Sequence, residues 1–243
     1  MNILVVNGSP LGKKGNTYIL QEAFVKGAKK ANASVEEIFL NKKKIKPCLG
    51  CYTCWIRTPG KCIIKDDQSK ILEKFEWADT FVLATPLYVD GMTAQTKTFI
   101  DRLLPMTRPD FVLIDGHCRH PPFGNRAGKF VLISNCGFHE LDNFDALVMH
   151  CKRMCLNMGS EYLGHLLRPQ GPLLKYREAA PDIIGKALEA VETAGADVAG
   201  TGKLSQSAMD AVCKELMPKD SYVEMVNAFW RSEIQKTAAK RKE

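Results

Sequence analysis

Short apolar runs recur along this chain with longer amphipathic stretches between them, and that alternation restricts the fold more than any single residue does. Ile3 to Val6 precedes a helical pattern over 17–30, Val35 to Leu40 one over 69–76, and Phe81 to Ala84 one over 93–104. In the last of these Phe99, Ile100, Leu103 and Leu104 share one face. Phe130 to Ile133 then leads into 142–158, and Tyr162 to Leu167 supplies a fifth strand. Near-continuous apolar strands separated by helices predict an α/β fold with a doubly wound, five-stranded parallel sheet covered on both faces. A chain of 243 residues, 45% hydrophobic and 25% charged, suits a single domain over 1–243, with its core in about 1–170. In such sheets ligands sit beyond the carboxyl ends of the strands, so the loops there are where chemistry is sought.

The rest of the chain reads as additions. Residues 105–129 form a Pro- and Gly-rich excursion in which Phe111 to Ile114 runs into Asp115-Gly116, a hairpin-type turn. After Pro181 an apolar stripe of Ile183, Ile184, Ala187, Leu188 and Val191 predicts a helix that stops in Gly195, Gly200 and Gly202. Ser221 and Glu224 have capping-box spacing, and Tyr222, Val223, Val226, Phe229 and Trp230 make an apolar face, so a C-terminal helical extension over about 181–243 is expected to pack on the core. No apolar run approaches the length of about 18 residues that suggests a membrane span. The first strand follows Met1 without a basic leader, which gives a cytoplasmic expectation. The net charge of +7 gathers in Lys42 to Lys46 and Lys236 to Lys242 with no nucleic-acid motif beside it, so these are read as solvated surfaces and neither nucleic acid nor membrane as a partner.

Three strand-end loops carry the chemistry. The first, Asn7-Gly8-Ser9-Pro10-Leu11-Gly12-Lys13-Lys14-Gly15-Asn16-Thr17, leads into a helix, so backbone amides, two hydroxyls and the positive end of a helix dipole can meet an anion. It lacks the Gly-Lys-Ser/Thr ending of a Walker loop, and Pro10 occupies the second glycine position of GxGxxG, which argues against both of those nucleotide modes. The second reads Thr85-Pro86-Leu87-Tyr88-Val89-Asp90-Gly91: a fixed backbone, a flat amphipathic ring and a glycine that permits close approach. The third is Ser134-Asn135-Cys136-Gly137-Phe138, where Cys136 has no evident base beside it and is read as packing.

Together these loops resemble the flavodoxin-like NADPH-dependent FMN reductase family up to about Gly137. The resemblance implies a flavodoxin-like sheet, frequent dimerisation into a homo-oligomer, and FMN as cofactor with NAD(P)H as cosubstrate. By it Ser9, Pro10, Asn16 and Thr17 hold the phosphate, while Pro86, Leu87, Tyr88, Gly91, Asn135, Cys136, Gly137 and Phe138 border the ring. Leu11 stands where the family often has Arg, leaving Lys13 or Lys14 to supply charge. The implied function is an oxidoreductase passing electrons to a flavin, quinone or other small-molecule acceptor. Hydride moves directly from nicotinamide to flavin, so no catalytic side chain is named. Asp101-Arg102 looks like the end of a family helix and is given no catalytic role, since an exposed helix pair or an interface contact explains it equally well.

Between the second strand and the helix over 69–76, Cys48, Cys51, Cys54 and Cys62 form C-x2-C-x2-C-x7-C, too dense for ordinary packing. Thiolates at this spacing suit an iron–sulfur cluster or zinc, with free thiols as the third reading. The segment is similar to the cysteine loop of iron–sulfur flavoproteins, which implies a [4Fe–4S] cluster on these four residues and a second function, single-electron exchange with a redox protein. A zinc-stapled interaction domain is the non-redox alternative.

Overall fold

The computed structural model describes residues 1–124 and 127–240. Strands β1 (Asn2–Asn7), β2 (Ser34–Phe39), β3 (Thr80–Pro86), β6 (Lys129–Asn135) and β7 (Glu161–Arg168) form one parallel sheet in the order β2-β1-β3-β6-β7. This is the flavodoxin-like order, with its switch point between β1 and β3. The period of two is explicit: Ile3, Val5, Val82, Ala84, Val131 and Ile133 face one layer, and Leu4, Val6, Leu83 and Leu132 face the other. Helix α1 (Asn16–Lys30) and helix α6 (Lys186–Thr201) cover the first face. Helices α3 (Gln68–Trp77), α4 (Ala94–Asp101) and α5 (Asp145–Met158) cover the second.

The excursion contains the expected hairpin, β4 (Val112–Ile114) and β5 (His117–Arg119), turned by Asp115 and Gly116, both at positive φ. It stands on the surface with Phe111, Leu113 and Ile114 exposed. The cysteine segment carries one short helix, α2 (Thr53–Ile56).

The C-terminal expectations need three corrections. Helix α6 runs through Gly195 and Gly200 to Thr201 rather than stopping in them. Gly195 is there for contact, because a Cβ on it would lie 2.0 Å from the Phe24 carbonyl oxygen of α1, and one on Gly27 would lie 1.7 Å from that of Glu192. The two helices thus cross backbone to backbone. Ser221 and Glu224 make no capping box, since α8 (Lys219–Lys240) has already begun two residues before Ser221. Of its apolar face only Tyr222 is buried, with Met225 and Val226 partly so, while Phe229 and Trp230 are more than half exposed. Helix α7 (Gln206–Cys213) was not foreseen; the Ser205 hydroxyl caps it by accepting from Ala208 N.

Candidate active site

The first loop is fixed from beneath by a buried asparagine. Asn7 donates to Gln21 Oε1 of α1 at 2.6 Å and accepts from Ser9 N at 2.9 Å, so the chain turns sharply at the end of β1. Gly8 lies against α4: its carbonyl accepts from Thr93 Oγ1 at 2.7 Å and Gln95 Nε2 at 2.8 Å, and a Cβ there would fall 1.7 Å from Thr96 Oγ1. After a short 3-10 turn at Gly12–Lys14, α1 opens at Asn16 behind Gly15 with no side-chain cap. Its first amides are left for an anion, aided by the helix dipole. Asn16 Oδ1 is buried and, among the described residues, has no hydrogen-bond partner. A ribityl hydroxyl can donate to it; with the amide turned over, a phosphate oxygen can accept there. The Lys13 ammonium sits over the Tyr18 and Phe39 rings at 5.5 Å from each centroid.

The other two loops close on the first through hydrogen bonds. Thr17 Oγ1 donates to Asn135 Oδ1 at 3.2 Å, and Leu87 N to Asn135 O at 2.8 Å. Tyr88 and Gly91 exchange two backbone bonds around Val89 and Asp90, which hold φ of 47° and 57°. Strain of this kind, in a fully exposed β-branched residue, is characteristic of functional loops. Gly91 closes this turn, and a Cβ on it would meet no protein atom nearer than 3.8 Å.

A cavity of about 140 Å³, open to solvent, lies between the loops. Ser9, Asn16 and Thr17 line it from the first loop, Pro86, Leu87 and Tyr88 from the second, and Asn135, Cys136 and Gly137 from the third. Pro10, Gly91 and Phe138 are not among its lining; Phe138 is more than half exposed, and its carbonyl accepts from Gln170 N. Leu11, Gly15 and Pro172 do line it and were missed. Pro172 follows β7, whose carboxyl end obeys the same rule as the other three. Burial pushes the Cys136 thiol up to about 11, so it packs as a neutral group, as expected. The C-terminal extension braces the third loop: Tyr222 donates to Gly137 O at 2.6 Å, and Arg168 donates to Val212 O and Lys214 O.

The four cysteines of the second motif line one concavity, together with Asp101, Arg102 and Leu104 at the far end of α4. Burial, then Cys62 and more weakly Cys48 and Cys51, pushes the Cys54 thiol up. Hydrogen bonding at Thr53 lowers that of the exposed Cys51. Among the described residues no three metal-ligating groups converge on a point that would hold a single ion. Thiolates are the donors that an iron–sulfur cluster takes, so the residue types in this concavity, four cysteines, would suit one. Arg102 is corrected from a surface residue to one of the most buried side chains, 1% exposed, while Asp101 remains on the surface paired with Lys97.

Comparison with known proteins agrees with this geometry. The profile of the family described as NADPH-dependent FMN reductase matches residues 1–143. An iron–sulfur flavoprotein of Archaeoglobus fulgidus is 38% identical over 105 residues, covering 43% of this chain and 46% of the relative, and one of Methanosarcina thermophila is 32% identical over 114 residues, covering 46% and 58%. The matched region thus spans about half the length of these relatives. Among solved structures, an FMN-dependent NADH-azoreductase from Bacillus anthracis in complex with FMN superimposes with a TM-score of 0.60 at 18% identity, over 82% of this chain and 99% of that one. These structural likenesses establish the fold.

Proposed function

Because this chain belongs to the NADPH-dependent FMN reductase family, we propose that the three-loop cavity holds FMN and that the protein is an NAD(P)H-dependent oxidoreductase passing electrons to a flavin, quinone or other small-molecule acceptor. The observation that carries the reading is the meeting of Ser9, Asn16 and Thr17 with Pro86 to Tyr88 and Asn135 to Gly137 around one cavity. Bound FMN would supply a ring that accepts hydride and returns electrons singly or in pairs. The chain's own residues bind and orient. Ser9, Asn16, Thr17 and the α1 amides hold the phosphate; Pro86, Leu87 and Tyr88 lie along the ring, with Asn135 and Gly137 at its edge. The Cys136 thiol is held protonated by burial. Anaerobic addition of NADPH or NADH to the FMN-loaded chain should bleach the visible flavin band, and an unbleached spectrum with both would refute the reductase reading.

The cysteine pocket favours a second reading, an iron–sulfur flavoprotein in which Cys48, Cys51, Cys54 and Cys62 hold a [4Fe–4S] cluster and a redox protein exchanges single electrons. Iron, acid-labile sulfide and zinc analysis of anaerobically purified protein separates cluster, zinc and free thiols. We place the protein in the cytoplasm, since a chain whose nine cysteines include a dense candidate cluster site suits a reducing compartment. We read it as one domain that forms a homo-oligomer through exposed apolar groups such as Phe111 and Trp230.

A further inference from the structure

The cysteine pocket has a cation in its wall that the motif spacing does not reveal. Arg102, one residue beyond α4, donates from one terminal nitrogen to Asp66 Oδ2 at 2.9 Å and Lys46 O at 2.7 Å, and from the other to Asp66 Oδ1 at 3.1 Å. Both side chains are essentially buried, 1% and 4% exposed. This fork fixes the guanidinium at the edge of the concavity that the four cysteines line.

Stability alone does not account for such a pair. A buried ion pair gains little over apolar residues of the same volume, because desolvation offsets its attraction. Moreover Arg102 Nε is buried and, among the described residues, has no acceptor. A buried N–H left unbonded is unfavourable, and Arg102 lines the same concavity as the four cysteines. That concavity therefore combines four thiols with a fixed positive charge and an unused donor.

We propose that Arg102 is a positioning residue for the cysteine centre, its fork locked on Asp66 and its remaining N–H donating to a sulfur of the bound cluster. The proposal rests on the iron–sulfur reading of the pocket. Its consequence is electrostatic. A cluster held by four thiolates is anionic and gains one further negative charge when an added reductant such as dithionite gives it one electron, so an adjacent cation and a hydrogen bond to sulfur favour the reduced form.

The test is an anaerobic dithionite titration, followed by electron paramagnetic resonance, of the full chain reconstituted with iron and sulfide. It compares the unsubstituted protein with Arg102→Lys and with the double variant Arg102→Gln/Asp66→Asn. The double variant removes both charges together, so no lone buried ion is left to prevent folding, and circular dichroism checks the fold. The expected result is a reduction equilibrium about tenfold less favourable in the double variant, which is about 59 mV for one electron. Arg102→Lys, which keeps the charge and loses the fork, should shift less. Equal midpoint potentials in all three proteins would overturn the proposal while leaving the cluster in place. An unsubstituted chain that takes up no iron and sulfide would overturn the iron–sulfur reading and this proposal with it, and that failure shows before any variant is made.

Discussion

The flavin cavity and the cysteine pocket lie at opposite ends of α4, and they are built in opposite ways. The cavity is a product of backbone: three strand ends deliver three loops, and Gly8, Asn135 and the first turn of α1 are held by the sheet and its helices. The cysteine segment has little regular structure beyond α2 and takes its shape from side chains reaching across the sequence. Asp66 accepts from the Lys46 amide, Arg102 binds the Lys46 carbonyl, and Trp55 donates to Leu104 O and packs on His120 of the excursion. A site built on strand ends is ordered before its ligand arrives. A site built on side chains depends on each staple that closes it.

The largest expected effect follows from that dependence. Asp66→Asn alone leaves Arg102 charged and buried without its carboxylate, and should cost about 3–5 kcal/mol in stability by denaturant titration. A cost near zero would mean that the cysteine segment stands without its staple, and the contrast between the regions would disappear. Next is Gly8→Ala, in the other region: its Cβ would collide with Thr96 Oγ1, whose own rotamer is held by Thr93. The loop or α4 must shift, at about 1–3 kcal/mol, and FMN retention measured by fluorescence should fall at least tenfold. A variant with wild-type FMN affinity would show that the backbone scaffold tolerates movement.

Acid should also separate the regions. Burial pushes the Asp66 carboxyl up, but the Arg102 guanidinium and the Lys46 and Gln68 amides outweigh it and hold the group below the ordinary carboxylate range. Its contribution to stability is therefore full above the unfolded value of about 3.9 and is lost as pH falls through the lower folded value. Proteolysis of the cysteine segment should rise in that acid range while the sheet persists, and the Arg102→Gln/Asp66→Asn variant should lack this dependence. The smallest effect is expected from Tyr222→Phe, which removes one hydrogen bond to Gly137 O, about 1 kcal/mol. It should loosen FMN severalfold if the C-terminal extension braces the third loop, and leave affinity untouched if it does not.

Legibility in the sequence follows the same division. Strand periodicity placed all five sheet strands to within a residue or two, most sharply the three central ones, which are apolar on both faces. The loop motifs brought nine of the proposed flavin residues to one cavity, since each follows a strand end and local chemistry sets its path. What escaped is what depends on distant partners. Arg102 read as surface because nothing near it in sequence announces Asp66, 36 residues earlier. Gly195 read as a helix stop because its reason is the α1 backbone. Pro10 and Gly91 shape their loops and stay outside the cavity lining, a distinction that spacing cannot make.

The central claim is that the backbone-built cavity is a flavin site anchored on its first loop. It is tested most directly by titrating FMN into apoprotein and reading fluorescence quenching, for the unsubstituted chain and for Ser9→Ala/Thr17→Ala. The account predicts saturation at one FMN per chain, and affinity weakened by two orders of magnitude or more in the folded double variant, about 2.8 kcal/mol. Saturable binding of equal strength in both proteins, or no binding in either, would contradict it.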